Sequence, residues 1–280
     1  MAENALPAGP VLREGEQLDD LQLNGLKILQ KKGSFRYGTD AVLLANFAAE
    51  RVNGDGSLRQ RLTQVNASGP SKAASIAAEE TASAETATKK YSPVNIIDVG
   101  SGTGIIPILM CGKIQAAPGN IRFTGIELFE DMCELSRRSI SVNGQDDRIQ
   151  IINGDICDCG LKASTFDVVT INPPYVRSDS GIISDSSEIA HARHEILRTQ
   201  EEMIAASARL LKYRGKMFMV NRPDRLVDAL ETMRKSGCEP AEIQMVHAFI
   251  DAAPVMFLCS GRKGGGRGLK VLPPVILGGR

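Results

Sequence analysis

From Val94 to Val220 the chain repeats one pattern, a short apolar run followed by a stretch with helical spacing. The runs are VNIIDV (Val94–Val99), RFTGIE (Arg122–Glu127), IQII (Ile149–Ile152), FDVVTI (Phe166–Ile171) and KMFMV (Lys216–Val220). Helical segments follow Gly104, run from about Glu130 to Asn143 and from Thr199 to Lys212, and return from Asp224 to Ser236. Thr199 and Glu202 have capping-box spacing, Asn143-Gly144 and Gly237 are stop signals, and Glu130 and Asp131 precede Arg137 and Arg138 in the order a helix dipole favours. Strands that alternate with helices are joined by crossovers, which make neighbouring strands parallel. The expected fold is therefore α/β with a mostly parallel sheet. IQMVHAF (Ile243–Phe249) and VMFLCS (Val255–Ser260) have no helix between them and predict an antiparallel hairpin at the sheet edge.

Composition removes several classes of function. Lys+Arg and Asp+Glu both number 33, so the formal net charge is zero and bulk charge cannot hold this protein to nucleic acid, although a local basic patch can. No apolar run approaches the roughly 20 residues of a membrane span. The first residues, MAENALPAGPVLREGEQLDD, carry acids where a signal peptide would be apolar, so no membrane association and a cytoplasmic location are expected. Six cysteines form no CxxC pair and only three His accompany them, which argues against a metal site and for reduced thiols. Between about Asn53 and Lys90 the chain has no aromatic residue and is dominated by Ala, Ser, Thr, Glu and Gly; this stretch reads as a disordered or loosely helical insert.

Three strand ends carry chemistry. The first runs into Asp98-Val99-Gly100-Ser101-Gly102-Thr103-Gly104 and then into apolar Ile105-Ile106-Pro107-Ile108. Close glycines let a ligand approach the backbone, and the helix start beyond them offers free N–H groups. The spacing D-x-G-x-G-x-G differs from the dinucleotide fingerprint G-x-G-x-x-G and points away from NAD. Glu127 ends the second strand, where a carboxylate can accept from both hydroxyls of a ribose. Asp155 follows the third, beside Ile156, and an Asp with a neighbouring backbone N–H suits an adenine edge.

The fourth strand ends in Asn172-Pro173-Pro174-Tyr175. Two prolines remove N–H donors and stiffen the backbone, aiming the Asn172 side chain and the Pro173 carbonyl at one point. Two acceptors that hold the N–H groups of an amine or amide out of plane localise its lone pair, so positioning and electrostatics carry the catalysis. Tyr175 would stack on a flat acceptor such as an extruded base.

The glycine loop, Glu127 and Asp155, in this order over Val94–Ser260, resemble the S-adenosylmethionine site of class I methyltransferases. The resemblance implies a Rossmann-like, seven-stranded, mostly parallel sheet with a C-terminal antiparallel hairpin. It also implies S-adenosyl-L-methionine as cofactor, held by Asp98, Gly100, Ser101, Gly102, Gly104, Glu127, Asp155, Ile156 and Asn172. The tetrapeptide implies an N-methyltransferase of the Asn-Pro-Pro-Tyr type, a group that includes adenine-N6, guanine-N2 and release-factor glutamine enzymes. Three flanking stretches narrow the choice: Leu21–Phe47, Ala192-Arg193-His194-Glu195, and Gly261-Arg262-Lys263 with Pro273-Pro274. They resemble the bacterial tRNA1(Val) adenine-37 N6-methyltransferase family. This second resemblance implies a tRNA anticodon-loop substrate, a monomer, Tyr37, Thr39 and Asp40 as walls of the cofactor pocket, and Arg193, Arg262 and Lys263 as substrate contacts. The alternative is a release-factor glutamine N5-methyltransferase or another RNA or DNA amino-methyltransferase. The expected division is an N-terminal segment 1–52 packed on the catalytic domain, an insert 53–91, the methyltransferase domain 92–260 and a basic tail 261–280.

Overall fold

The computed structural model describes residues 12–32, 36–64, 91–173 and 198–278. Among them, β1 (Glu16–Asp20) and β2 (Lys27–Lys31) form an antiparallel hairpin. Eight further strands form one sheet in the order β10-β8-β9-β7-β6-β3-β4-β5. They are β3 (Val94–Val99), β4 (Ile121–Glu127), β5 (Ile149–Asn153), β6 (Phe166–Ile171), β7 (Leu211–Asn221), β8 (Cys238–His247), β9 (Pro254–Lys263) and β10 (Lys270–Ile276). β5, β4, β3, β6 and β7 are mutually parallel, while β9 runs antiparallel to both β7 and β8. The expected hairpin is thus present, but the sheet has eight strands rather than seven. The extra strand is β10, which pairs in parallel with β8 and lies in the segment expected to be a basic tail. Its Pro273 and Pro274 mark a register shift between Leu272 and Val275, which an edge strand tolerates because one side of it needs no donors.

Helices cover both faces of the sheet. α1 (Thr39–Gly54), α3 (Ile105–Lys113) and α4 (Glu130–Val142) lie on one, α5 (Gln200–Leu210) and α6 (Leu226–Lys235) on the other. Period-two alternation divides each strand between two cores. Ile96, Phe218 and Val220 pack with α1 and α3, whereas Ile97, Val99, Met217 and Met219 pack with α5 and α6. Phe47 of α1 meets Phe218 of β7 edge to face, ring centroids 5.9 Å apart, which seats α1 on the sheet. The predicted box at the start of α5 is present, with Thr199 and Glu202 capping each other.

The N-terminal segment is anchored to α4. The backbone N–H groups of Leu29 and Lys27 donate to Ser139 Oγ and Asn143 Oδ1, and Arg138 holds both oxygens of Glu16, whose carboxyl is drawn down to about 2 by that guanidinium. The first residues of the expected insert are helical. Residues 53–64 complete α1 and form α2 (Gly56–Thr63), which Asp55 caps through Ser57 N and Leu58 N. Leu58 and Leu62, one turn apart, are buried, and Arg61 makes a two-pronged contact with Asp167 at 2.6 and 3.1 Å. Two leucines at i, i+4 with a cap are a short helical signal that the surrounding Gln, Arg and Ser mask. Residues 65–90 of the expected insert lie outside the described residues.

Candidate active site at the carboxyl edge of the sheet

β3 ends at a turn that only glycine makes without strain. Gly100, Gly102 and Gly104 have φ of +69°, +54° and +83°, in the left-handed region. The turn is pinned to the next strand, because Gly100 N and Ser101 N both donate to the Ile126 carbonyl, at 2.9 and 3.0 Å. α3 then starts at Gly104 with no side-chain cap. Asp98 lies beneath the loop, 2% exposed, with Oδ1 accepting from Thr170 Oγ1 at 2.7 Å. Burial pushes its carboxyl up to about 7, against the pull of the Thr170 hydroxyl.

Glu127, also 2% exposed, ends β4 with each oxygen held by a backbone donor, Oε2 by Gly102 N at 2.8 Å and Oε1 by Phe129 N at 3.0 Å. This ties the glycine loop to the carboxylate and fixes the orientation of both. Beside them opens a cleft walled by Gly100, Leu128, Asp155, Ile156, Arg198 and Met203. Asp155 accepts from Cys157 N at 2.9 Å and from Arg198 Nε at 2.7 Å, and Arg198 also reaches Asp158 and Glu202. Arg198 was not foreseen from the sequence. It lies 43 residues from Asp155, and only its place before the Thr199 cap hints that it is held.

β6 is the neighbour of β3, with Ile171 level with Val99, so Asn172 and Gly100 are adjacent at the strand ends. Asn172 is half-buried and Pro173 buried. The Asn172 amide donates from Nδ2 to Asp40 Oδ2 of α1 at 3.0 Å.

Residues 96–215 match a family model described as a methyltransferase domain. The chain has the class I methyltransferase fold. Its fold is shared with a crystal structure of a predicted O-methyltransferase from Agrobacterium tumefaciens, with a TM-score of 0.52 and 21% identity over 66% of this chain and 80% of that one. A tRNA1(Val) (adenine(37)-N6)-methyltransferase of Porphyromonas gingivalis is 30% identical over 140 residues, 49% of this chain and 52% of the relative. A release factor glutamine methyltransferase of Agrobacterium fabrum is 30% identical over 93 residues, 33% of this chain and 30% of that protein. The chain thus aligns with about half the length of the first of these relatives.

The cofactor of a class I methyltransferase domain is S-adenosyl-L-methionine, and the residues present fit it. A Cβ on Gly100 would stand 3.8 Å from Met203 Cε at the cleft, so glycine there keeps the ligand's approach open, whereas Gly104 makes room for Ser136 of α4. Glu127 offers a buried, preoriented acceptor, and Leu128 and Ile156 give a flat ring apolar walls. Among the described residues no group of three or more His, Cys, Asp or Glu could hold a metal, and no helix is long and apolar enough to cross a membrane.

The methyltransferase domain gathers most of the expected site residues at one edge, with differences. Asp98 lies under the loop rather than in the cleft, and Ser101 is buried. Tyr37, half-buried against the α1 core, has its N–H on Gln30 Oε1 at 3.3 Å, while Thr39 is exposed at the start of α1. Arg262 and Lys263 stand at the other end of the sheet. Arg262 is level with Lys216, which is level with Val168, four residues short of Asn172, or about 13 Å along the strand. Lys263 there donates to the Ser236 carbonyl at 2.8 Å. Because β9 runs antiparallel, its last residues reach the edge of the sheet opposite Asn172. Pro174, Tyr175 and Arg193 lie outside the described residues.

Proposed function

We propose that this protein is an S-adenosylmethionine-dependent N-methyltransferase whose acceptor is an adenine amine of RNA, in the anticodon loop of a tRNA. The observation that carries the reading is the adjacency of Asn172-Pro173 to the glycine loop across the β3–β6 pair, beside a cleft that fits the cofactor. Gly100, Gly102, Glu127, Asp155 and Ile156 would hold S-adenosylmethionine, which supplies an electrophilic methyl group on a sulfonium. The Asn172 Oδ1 and the Pro173 carbonyl accept from the N–H groups of the incoming amine. That contact keeps the nitrogen lone pair from the ring and directs it at the methyl carbon, so no strongly basic side chain is required. Tyr175, next in the motif, would stack on the flat base. The tRNA substrate is supported by the relative named for that activity.

The glutamine-methyltransferase reading has one observation in its favour, the shorter match to the Agrobacterium fabrum protein. A glutamine amide nitrogen needs the same two acceptors, so the motif serves either. Methyl transfer from labelled S-adenosylmethionine to unmodified total tRNA, with release factor in a parallel reaction, separates them. We expect N6-methyladenosine in the tRNA digest, and on the order of 10²-fold slower turnover in Asn172→Ala with cofactor affinity preserved. Label confined to release factor would overturn the RNA reading, and unchanged turnover in Asn172→Ala would overturn the mechanism.

A further inference from the structure

An asparagine amide has two unlike ends, and only the oxygen can accept from an amine. Which end faces the acceptor is decided by what the other end meets. In this protein Nδ2 of Asn172 meets Asp40 Oδ2 at 3.0 Å, and a carboxylate accepts without donating. The NH₂ end is therefore committed to Asp40, and a flipped amide would set two oxygens against each other.

Asp40 is itself held. Its Oδ1 accepts from Ala41 N at 2.8 Å in the first turn of α1, so the carboxylate spans the helix start and the end of β6, 132 residues away. The preceding glycine keeps room for it. A Cβ on Gly38 would lie 2.6 Å from Asp40 Oδ1 and 3.4 Å from its Cγ. The backbone of Gly38, φ −103° and ψ 179°, is open to any residue, so what glycine supplies here is space. The stretch Gly38-Thr39-Asp40 is thus built around one carboxylate rotamer.

We propose that Asp40 is a positioning residue that locks the Asn172 amide with Oδ1 turned toward the acceptor nitrogen, and that Gly38 preserves the rotamer that does so. The inference rests on the methyl-transfer reading only in its kinetic arm, since the lock exists in the free protein.

The test uses the full chain and five variants. In ¹⁵N spectra of the ligand-free protein, the side-chain amide pair lost in Asn172→Ala identifies Asn172. Asp40→Ala should move that pair toward solvent-exposed positions, and Asp40→Asn, whose one oxygen can stay on Asn172 if Ala41 N turns to solvent at the half-exposed helix start, should move it less. Kinetically, Asp40→Ala should lower kcat by about 10- to 100-fold with S-adenosylmethionine affinity within about twofold, and Asp40→Asn should restore part of the rate. Gly38→Ala should reproduce Asp40→Ala, because the displaced atom is the far end of a flexible side chain. The double variant Asp40→Ala/Asn172→Ala should turn over no more slowly than Asn172→Ala alone, since a residue acting through another adds nothing once that one is gone. Multiplicative losses in the double variant, or an unmoved amide pair in Asp40→Ala, would overturn the proposal. A moved pair in a wild-type protein that methylates neither tRNA nor release factor would sustain the lock while removing the proposed activity.

Discussion

Replacing Glu127 with Gln tests the cofactor site without any assumption about the substrate. Both carboxylate oxygens are engaged by backbone donors, Gly102 N at 2.8 Å and Phe129 N at 3.0 Å, in a side chain 2% exposed. Gln has one oxygen and one NH₂, so one of these donors must face another donor whichever way the amide turns. A buried N–H left unsatisfied costs about 1–3 kcal/mol, which should appear as lower stability of the ligand-free protein. Binding loses separately. Hydroxyls of a ribose that met an anionic acceptor would meet a neutral amide, and charge-assisted hydrogen bonds are worth about 1.5–3 kcal/mol against about 1 for neutral ones. Over two hydroxyls the difference is about 1–4 kcal/mol, or roughly 5- to 850-fold in Kd. Calorimetric titration with S-adenosylmethionine reads the second number, and urea denaturation without ligand reads the first. A folded Glu127→Gln protein whose affinity lies within about twofold of the wild type would refute the ribose assignment.

Three further outcomes follow from side chains that brace the site. Asp167, 8% exposed, accepts from Arg61, Lys212 and Asn95 N, and Asp167→Ala leaves two cations without their shared partner; about 3 kcal/mol should be lost in urea denaturation, and a loss below about 0.5 kcal/mol would contradict the clasp. Asp98 has its carboxyl at about 7 in the fold against about 3.9 in an unfolded chain, so the folded state binds the extra proton and stability falls as pH rises from about 4 to 7. Asp98→Asn should remove that part of the slope and gain on the wild type above pH 7, and parallel Tm–pH curves for the two proteins would show the reasoning wrong. Gly104→Ala combines a φ of +83° with a Cβ 2.3 Å from Ser136 Oγ, and should cost about 2 kcal/mol or more; the added change Ser136→Gly should recover the clash and leave only the backbone cost of about 1–2 kcal/mol. No recovery in that double variant would place the whole cost in the backbone.

What could be read from the sequence, and what could not, divides along the range of the interactions involved. The strands β3 to β7 and the helices between them announce themselves because hydrophobic period and caps are local, as the Thr199–Glu202 box illustrates. The glycine loop and Glu127 are equally readable, each being set by its own strand end. β10 was hidden because two prolines in an edge strand look like a tail, and α2 because two leucines and one cap sit within polar surroundings. Arg198 on Asp155 and Asp40 on Asn172 were hidden for a different reason. Each pair joins segments 43 and 132 residues apart, and its existence depends on how a helix seats on the sheet, as α1 does through Phe47 and Phe218.

The basic pair at the end of β9 shows the limit most directly. Arg262 and Lys263 have suitable chemistry for a phosphate backbone, and the hairpin strand expected over Val255–Ser260 runs on through them to Lys263. A hairpin reverses the chain, so a strand that follows one ends at the opposite edge from the parallel strands before it. With β9 running against β7, charges at its end meet the amino edge, where Lys263 closes on the carbonyl at the end of α6. Strand direction alone would have assigned them there. For a site at the carboxyl edge of a sheet, residue type selects what can react, and the parity of chain reversals selects what can reach.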